Sequence, residues 1–390
     1  MKHQYCPCCQ SQNTEAFFVV KNAPVQSMVT IKSYEEALAI PRKDITLTFC
    51  NDCGFIFNSS FDTSIDYFTK GYEDQRGFSP TFTKFITAVT SKFIEKYGVR
   101  EKRIVEIGCG KGDFLNLICE LGNNKGVGID PAFEPGREAA NQNVSFIKEF
   151  YAEEYGQIPS DVIVCRHTME HIHDVGSFVN TIRKSIDDHP ELIVWIEVPS
   201  IVRILKIQAF WDIFYEHCSY FSPGSLARLF KRNNFEILDS YLEYDDQYLF
   251  LEAKPTRRRI QKPGPLEEEV KELRTLVDEF VIKINNQLDQ WRKQLVEMKA
   301  QNKRVAVWGG GSKSVGFLTH FDELKVIKHV VDINPHMQGN FIPGIGIQYV
   351  SPDYLSVFNP DAVIVMNGVY QEEIRKMLSE MDQYPELICL

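Results

Sequence analysis

Two cysteine pairs, Cys6-x-x-Cys9 and Cys50-x-x-Cys53, put four soft thiolates at the spacing of two knuckles, and such a set suits a tetrahedral zinc ion. Four protein ligands leave no position for water or substrate, so an ion held there is structural. Gly54, directly after the second pair, has the backbone freedom that such a turn uses. Cys8 is a spare thiol able to exchange with Cys9, and His3 is a weaker rival ligand. Cys109, Cys119, Cys165, Cys218 and Cys389 are scattered and read as small apolar core residues.

A second chemistry is written in Val105-Glu106-Ile107-Gly108-Cys109-Gly110-Lys111-Gly112, a glycine-rich turn between a strand-like and a helix-like stretch. Gly108, Gly110 and Gly112 form a wall without side chains, which a ligand can approach closely. A turn that opens on the acidic Glu106 is poorly suited to a pyrophosphate. A zwitterionic amino-acid tail carrying a sulfonium fits better, which points to S-adenosylmethionine ahead of other adenosine compounds. Asp130 closes the next strand, in Gly126-Val127-Gly128-Ile129-Asp130, where a carboxylate can accept from both ribose hydroxyls.

Histidines supply the third possibility. His167, Glu170, His171 and His173 follow a strand, but His-x-x-Glu-His is not the spacing of a helical zinc protease, so these residues are expected to shape the cofactor pocket or cap a helix. Farther on, Glu216-His217 sits in an aromatic-rich stretch, Ile201 to Phe221. An imidazole has an ordinary pKa of about 6.5 and is suited to removing a proton near neutrality, with an adjacent acid to support it.

These groups need rigid elements to hold them. Strand-like runs at Arg103–Ile107, Gly126–Ile129, Val144–Ile147, Asp161–Cys165 and Leu192–Val198 alternate with helical patterns, including Asp113–Leu121 and Glu134–Asn141. That alternation implies a parallel sheet covered on both faces. A helix at Pro223–Asn233 and a hairpin of Phe235–Tyr244 with Gln247–Ala253 complete the unit. The proline- and glycine-containing stretch Lys254–Pro265 reads as a linker. Beyond it, Leu266, Val270, Leu273, Val277, Phe280 and Ile284 begin an apolar stripe, continued to Met298, that predicts a long core or strut helix. Arg304–Trp308, Val326–Val331 and Asp361–Val365 are three more buried-type strands, and no internal repeat stands out.

The expected architecture is α/β. A zinc-binding module occupies 1–60 and carries little core of its own. A parallel sheet of the class I S-adenosylmethionine methyltransferase type occupies 61–255, a linker and long helix 256–300, and a Rossmann-like acceptor-binding domain 301–390. A chain of 390 residues has room for these units. The net charge of −10 argues against a nucleic-acid partner, with Arg257-Arg258-Arg259 the only basic tract. No apolar run reaches membrane-spanning length and Met1–Cys9 has no leader-like core, so a cytoplasmic protein with reduced thiols is expected.

The paired cysteines, Glu106-x-Gly108-x-Gly110-x-Gly112, the run Tyr215-Glu216-His217-Cys218-Ser219-Tyr220-Phe221-Ser222 and the later Asp332-Ile333-Asn334-Pro335 together resemble the zinc-containing bacterial sugar C-methyltransferases. Those enzymes serve deoxysugar biosynthesis and methylate a carbon next to the ketone of a nucleotide-linked keto-sugar. The resemblance implies His217 as base, Glu216 as its neighbour and tyrosines in support, Tyr72 in Gly71-Tyr72-Glu73-Asp74 and Tyr215. It also implies a small-molecule acceptor and leaves the oligomeric state open. Two departures stand out: Phe214-Tyr215-Glu216-His217 replaces the family's Tyr-His-Glu-His, and Met366-Asn367-Gly368-Val369-Tyr370 replaces its Trp-Asn-Tyr.

Other readings compete. Val307-Trp308-Gly309-Gly310-Gly311-Ser312-Lys313-Ser314, with Asp332 about 20 residues beyond, resembles an NAD site, which makes an oxidoreductase the first rival. Ser314 in place of a third glycine weakens it. A nucleotide-sugar binding protein without catalysis, and a methyltransferase acting on O or N, are the others.

Overall fold

Hydrophobic alternation in the amino-terminal segment resolves into β1 (Thr14–Pro24), the short helix α1 (Tyr34–Leu38), β2 (Arg42–Cys50) and β3 (Ile56–Asn58). The computed structural model describes residues 5–65, 71–137, 141–186, 189, 191–258 and 262–390, so His3 lies outside the described residues. Next come α2 (Pro80–Tyr97), β4 (Arg103–Ile107), α3 (Asp113–Gly122), β5 (Lys125–Ile129), β6 (Val144–Ile147), β7 (Val162–Arg166), α4 (Val175–Ser185) and β8 (Ile193–Pro199). The chain continues through α5 (Ile201–Ile207), β9 (Ser219–Tyr220), α6 (Pro223–Arg232), β10 (Phe235–Glu243) and β11 (Tyr248–Pro255). It ends with α7 (Val270–Ala300), β12 (Val305–Trp308), α8 (Ser312–Phe321), β13 (Ile327–Val331), β14 (Tyr349–Val350), α9 (Leu355–Phe358), β15 (Ala362–Val365), α10 (Gln371–Glu380) and β16 (Glu386–Cys389).

Three sheets result. The central one has seven strands in the order β10-β11-β8-β7-β4-β5-β6. Strands β4 to β8 pair in parallel, and β11 runs antiparallel to both β8 and β10. The order reverses at β4, and ligands of open α/β sheets bind at the carboxyl ends of strands at such a switch point. A five-stranded, all-parallel sheet follows in the order β14-β13-β12-β15-β16, with its own switch at β12. The third sheet, β1-β2-β3-β9, is antiparallel.

Several expectations are corrected here. The amino-terminal segment is not a lightly packed appendage: Leu47 and Phe49 share one hydrophobic cluster with Phe280 of α7 and Val307 of β12. Its β3 pairs with β9, inside the aromatic insertion. The helix expected over Glu134–Asn141 is not seen: residues up to 137 form turns and bends, and 138–140 lie outside the described residues. The helical stripe after the linker holds, with Leu273, Val277, Phe280, Ile284, Trp291, Leu295 and Met298 buried on one side of α7. Leu266 precedes that helix and is exposed.

Candidate active site

The glycine turn after β4 behaves as its composition requires. Gly108 has a φ of 73°, and a Cβ there would sit 2.0 Å from Thr168 Oγ1. Gly108 and Gly110 line a cavity of about 440 Å³ over the carboxyl ends of β4, β5 and β7, together with Glu106, Asp130 and His167. Gly112 stands behind it: it is the N-cap of α3 at φ 84°, where a Cβ would meet Phe146 Cζ at 2.4 Å. Asp130 accepts from the Gly110 amide at 2.8 Å and the Ala132 amide at 2.6 Å, which pins the turn to the end of β5. Glu106 is buried, its Oε2 has no partner among the described residues, and burial pushes its carboxyl up to about 8.

A second cavity of about 280 Å³ adjoins the first. Tyr72, Asp74, Arg76, His167 and His171 line both. Its far wall is the turn Gly309–Lys313 after β12, with Asp332 at the end of β13. Here the carboxy-terminal glycine turn and its acid repeat two bonds of the first. The Gly310 amide donates to Asp332 at 2.7 Å as Gly110 does to Asp130, and the Asn334 amide donates to Asp332 as Ala132 does to Asp130. Burial pushes the Asp332 carboxyl up to about 6.

His217 lines this second cavity, its ring 4.0 Å from Phe214 and edge-on to His171 at 5.0 Å, centroid to centroid. Burial, and then the neighbouring His171, hold its pKa well below the ordinary value, which favours the neutral ring and lowers its basicity. Its sequence neighbours are turned elsewhere. Glu216 does not support the His217 ring with its carboxylate: both oxygens accept from Ser27, the amide at 2.7 Å and the hydroxyl at 2.5 Å. The Ser27 hydroxyl, its proton given to Glu216, accepts in turn from Ser312 at 2.8 Å. Tyr215 is not brought to the cavity either. Its ring stacks on Phe61 at 5.3 Å and its hydroxyl accepts from the Asp62 amide, while Phe214 faces the space that a first tyrosine would occupy.

His167 stands between the cavities with a left-handed φ of 48°, 3.1 Å from Glu197 and 3.4 Å from Glu170. Several wall residues escaped the sequence reading. Arg76 donates to the Tyr248 hydroxyl at 2.8 Å, Asp74 is half-buried, with its carboxyl pushed up to about 6 by desolvation, and Lys313 pairs with Asp212. Asp74 and Lys313 lie inside stretches singled out for other residues, and Arg76 in none, so no local signal assigned any of the three to the wall.

The four cysteines converge. Cys6 Sγ lies 3.7 Å from Cys53 Sγ and Cys9 Sγ 3.5 Å from Cys50 Sγ, and all four sulfurs lie within 4.8 Å of one another. A tetrahedron with bonds of about 2.3 Å to zinc has edges of about 3.8 Å, so the residues fit the ion. Cys8, also buried, stands outside that quartet.

Residues 82–240 match a family described as a methyltransferase domain, and residues 252–386 match the C-methyltransferase C-terminal domain. C-methyltransferase NovU of Streptomyces niveus is 26% identical over 297 residues, 72% of this chain and 70% of that protein. Among solved structures, the 1,6-didemethyltoxoflavin-N1-methyltransferase of Burkholderia thailandensis is 16% identical, covering 45% of this chain and 81% of its own, with a TM-score of 0.35. The magnesium protoporphyrin IX methyltransferase of Synechocystis PCC 6803 is 12% identical, covering 45% and 84%, with a TM-score of 0.35. The sheet order and the matched domains make this chain a class I S-adenosylmethionine-dependent methyltransferase. The second domain and the NovU relative support C-methyl transfer. Among the described residues no helix is long and apolar enough to cross a membrane.

Proposed function

We propose that the chain methylates a carbon next to a ketone in a nucleotide-linked keto-sugar, with His217 as the base. The observation that carries this reading is an imidazole, His217, in a cavity that opens, past Tyr72 and Arg76, onto the glycine-turn cavity. S-adenosylmethionine, when bound, supplies an electrophilic methyl group on a sulfonium. Asp130 would hold its ribose hydroxyls, Gly108 and Gly110 would let it approach, and the unpaired oxygen of Glu106 would meet its amino group. His217 takes the proton from the acceptor carbon. Tyr72 then donates a hydrogen bond to the oxyanion that develops on the ketone oxygen. Transfer to that carbon would break the methyl–sulfur bond, leaving a neutral thioether, while the ketone reforms and the proton stays on the imidazole until it exchanges with water. The second glycine turn, with Asp332 beside it, would seat the nucleoside part of the acceptor, as a repeat of the first site. Zinc on Cys6, Cys9, Cys50 and Cys53 would close the knuckles and fix the amino-terminal sheet.

The test is turnover with a panel of nucleoside-diphosphate keto-sugars, the product examined by NMR for a new carbon-bound methyl. His217→Ala is expected to lose at least about a hundredfold in turnover, the lower bound for a positioned base, while keeping its cofactor affinity. A methyl found on oxygen or nitrogen, or a variant with near-full turnover, sinks the reading.

A further inference from the structure

Away from the cysteines, the acceptor cavity brings together a carboxylate and two imidazoles. The ligating atoms of Glu170, His171 and His217 all lie within 4.8 Å of one another. Glu170 and His171 stand on the single 3-10 turn Met169–His171 after β7, and His217 on the irregular segment before β9. Sequence spacing disfavours a metal among His167, Glu170, His171 and His173, but this trio draws its third donor from 46 residues farther along.

Two features of the trio are those of a ligand set. Glu170 is 2% exposed and its Oε2 has no hydrogen-bond partner among the described residues, an arrangement that is costly for a carboxylate unless a cation or donor completes it. His171 donates from Nδ1 to the Glu216 carbonyl at 3.0 Å, which puts its lone pair on Nε2. Metal-ligating histidines are commonly oriented by such a bond from the other ring nitrogen to a backbone carbonyl.

We propose that Glu170, His171 and His217 bind a divalent transition metal in the acceptor cavity, and that this ion competes with the proton for His217. Two imidazoles and one carboxylate suit zinc, cobalt or nickel rather than magnesium or calcium, which take oxygen ligands. Neighbouring donors around an ion with bonds of about 2.1 Å stand about 3.4 Å apart, so no pair of the three donors, all within 4.8 Å, has to close by more than about 1.4 Å on binding. Unlike the four-thiolate set, this one leaves a position open to the cavity. The binding claim stands by itself; only its effect on turnover rests on the proposed role of His217. A nitrogen whose lone pair is on a metal cannot accept a proton.

The experiment uses the zinc-loaded protein, cleared of loosely held metal by a chelating resin and checked for one zinc per chain. Nickel is titrated by calorimetry and cobalt by visible absorption. One further equivalent is expected, its cobalt spectrum without a thiolate charge-transfer band. Affinity should fall at least tenfold in both Glu170→Gln and His217→Asn, each with its zinc retained and its melting transition intact. Nickel should inhibit wild-type turnover at the concentration that half-fills the site, in competition with acceptor. The absence of a further equivalent, a thiolate band, or equal affinity in both variants overturns the proposal. Turnover of His217→Ala in chelated buffer tests the base separately, so either idea can fail alone.

Discussion

At the scale of the residue, the site is built from charged groups kept where water cannot reach them, and their protonation follows. Glu106 carries the clearest consequence. Burial holds its proton up to about pH 8 in the folded chain, whereas an unfolded chain loses it near the ordinary 4.5. Between those values the folded state binds more protons than the unfolded one, so this group contributes stability below the lower value that is lost as pH rises through the upper. Glu106→Gln should therefore flatten the fall in stability between about pH 5 and pH 8, by at most about 1.4 kcal/mol per pH unit, measured by urea unfolding without cofactor. A mutant with the same slope as wild type would show that Glu106 is ionised in the apo protein. Glu216, also buried and pushed up to about 7, contributes to the same fall, which is why the comparison is between variants rather than absolute.

The elements explain how residues so distant come together. Strand ends at a switch point deliver the two glycine turns with their acids, and α7 braces the amino-terminal sheet against the carboxy-terminal one. Phe280 is the pivot of that brace, fully buried and edge-on to Phe18 at 5.3 Å and to Phe17 at 6.2 Å, both on β1. Phe280→Ala opens a cavity where α7 meets β1 and should cost about 3–5 kcal/mol in unfolding free energy. The cofactor turn draws on a different cluster through Ile107 and Ile129, so cofactor affinity of the folded variant should stay within about twofold. Little change in stability would mean that the ring contacts are incidental to the brace.

The whole molecule is more continuous than a row of domains. The cysteine knuckles share a hydrophobic cluster with Ile107 and Ile129 of the methyltransferase sheet and with Met169 on the turn after β7, and β3 pairs with β9 next to His217. Ser27, from the same amino-terminal segment, joins Glu216 to Ser312, which lines the second cavity. Removing zinc should thus do more than loosen one end. After chelation, turnover is expected to fall at least tenfold while cofactor affinity falls by less than that, a split that calorimetry and a rate assay on the same sample would read. Full turnover without zinc would detach the knuckles from the acceptor site.

Short-range patterns carried much of this protein's description. The glycine turn with Glu106, the acid at the end of β5, the paired cysteines, the alternation of strands and helices and the stripe of α7 are each legible because backbone geometry ties neighbouring residues to one face or one turn. Other features became definite only in three dimensions. Residues 214–217 lie in an irregular segment without a period, so nothing local says that Phe214 and His217 face the cavity while Tyr215 and Glu216 turn away. The partner of Glu216 is Ser27, 189 positions distant, and the carboxylate near the histidines is instead Glu170. Both glycine turns and their acids, Asp130 and Asp332, were legible, but the matching amide bonds to each acid became definite only in three dimensions, because backbone amides impose almost no constraint on which side chains surround them.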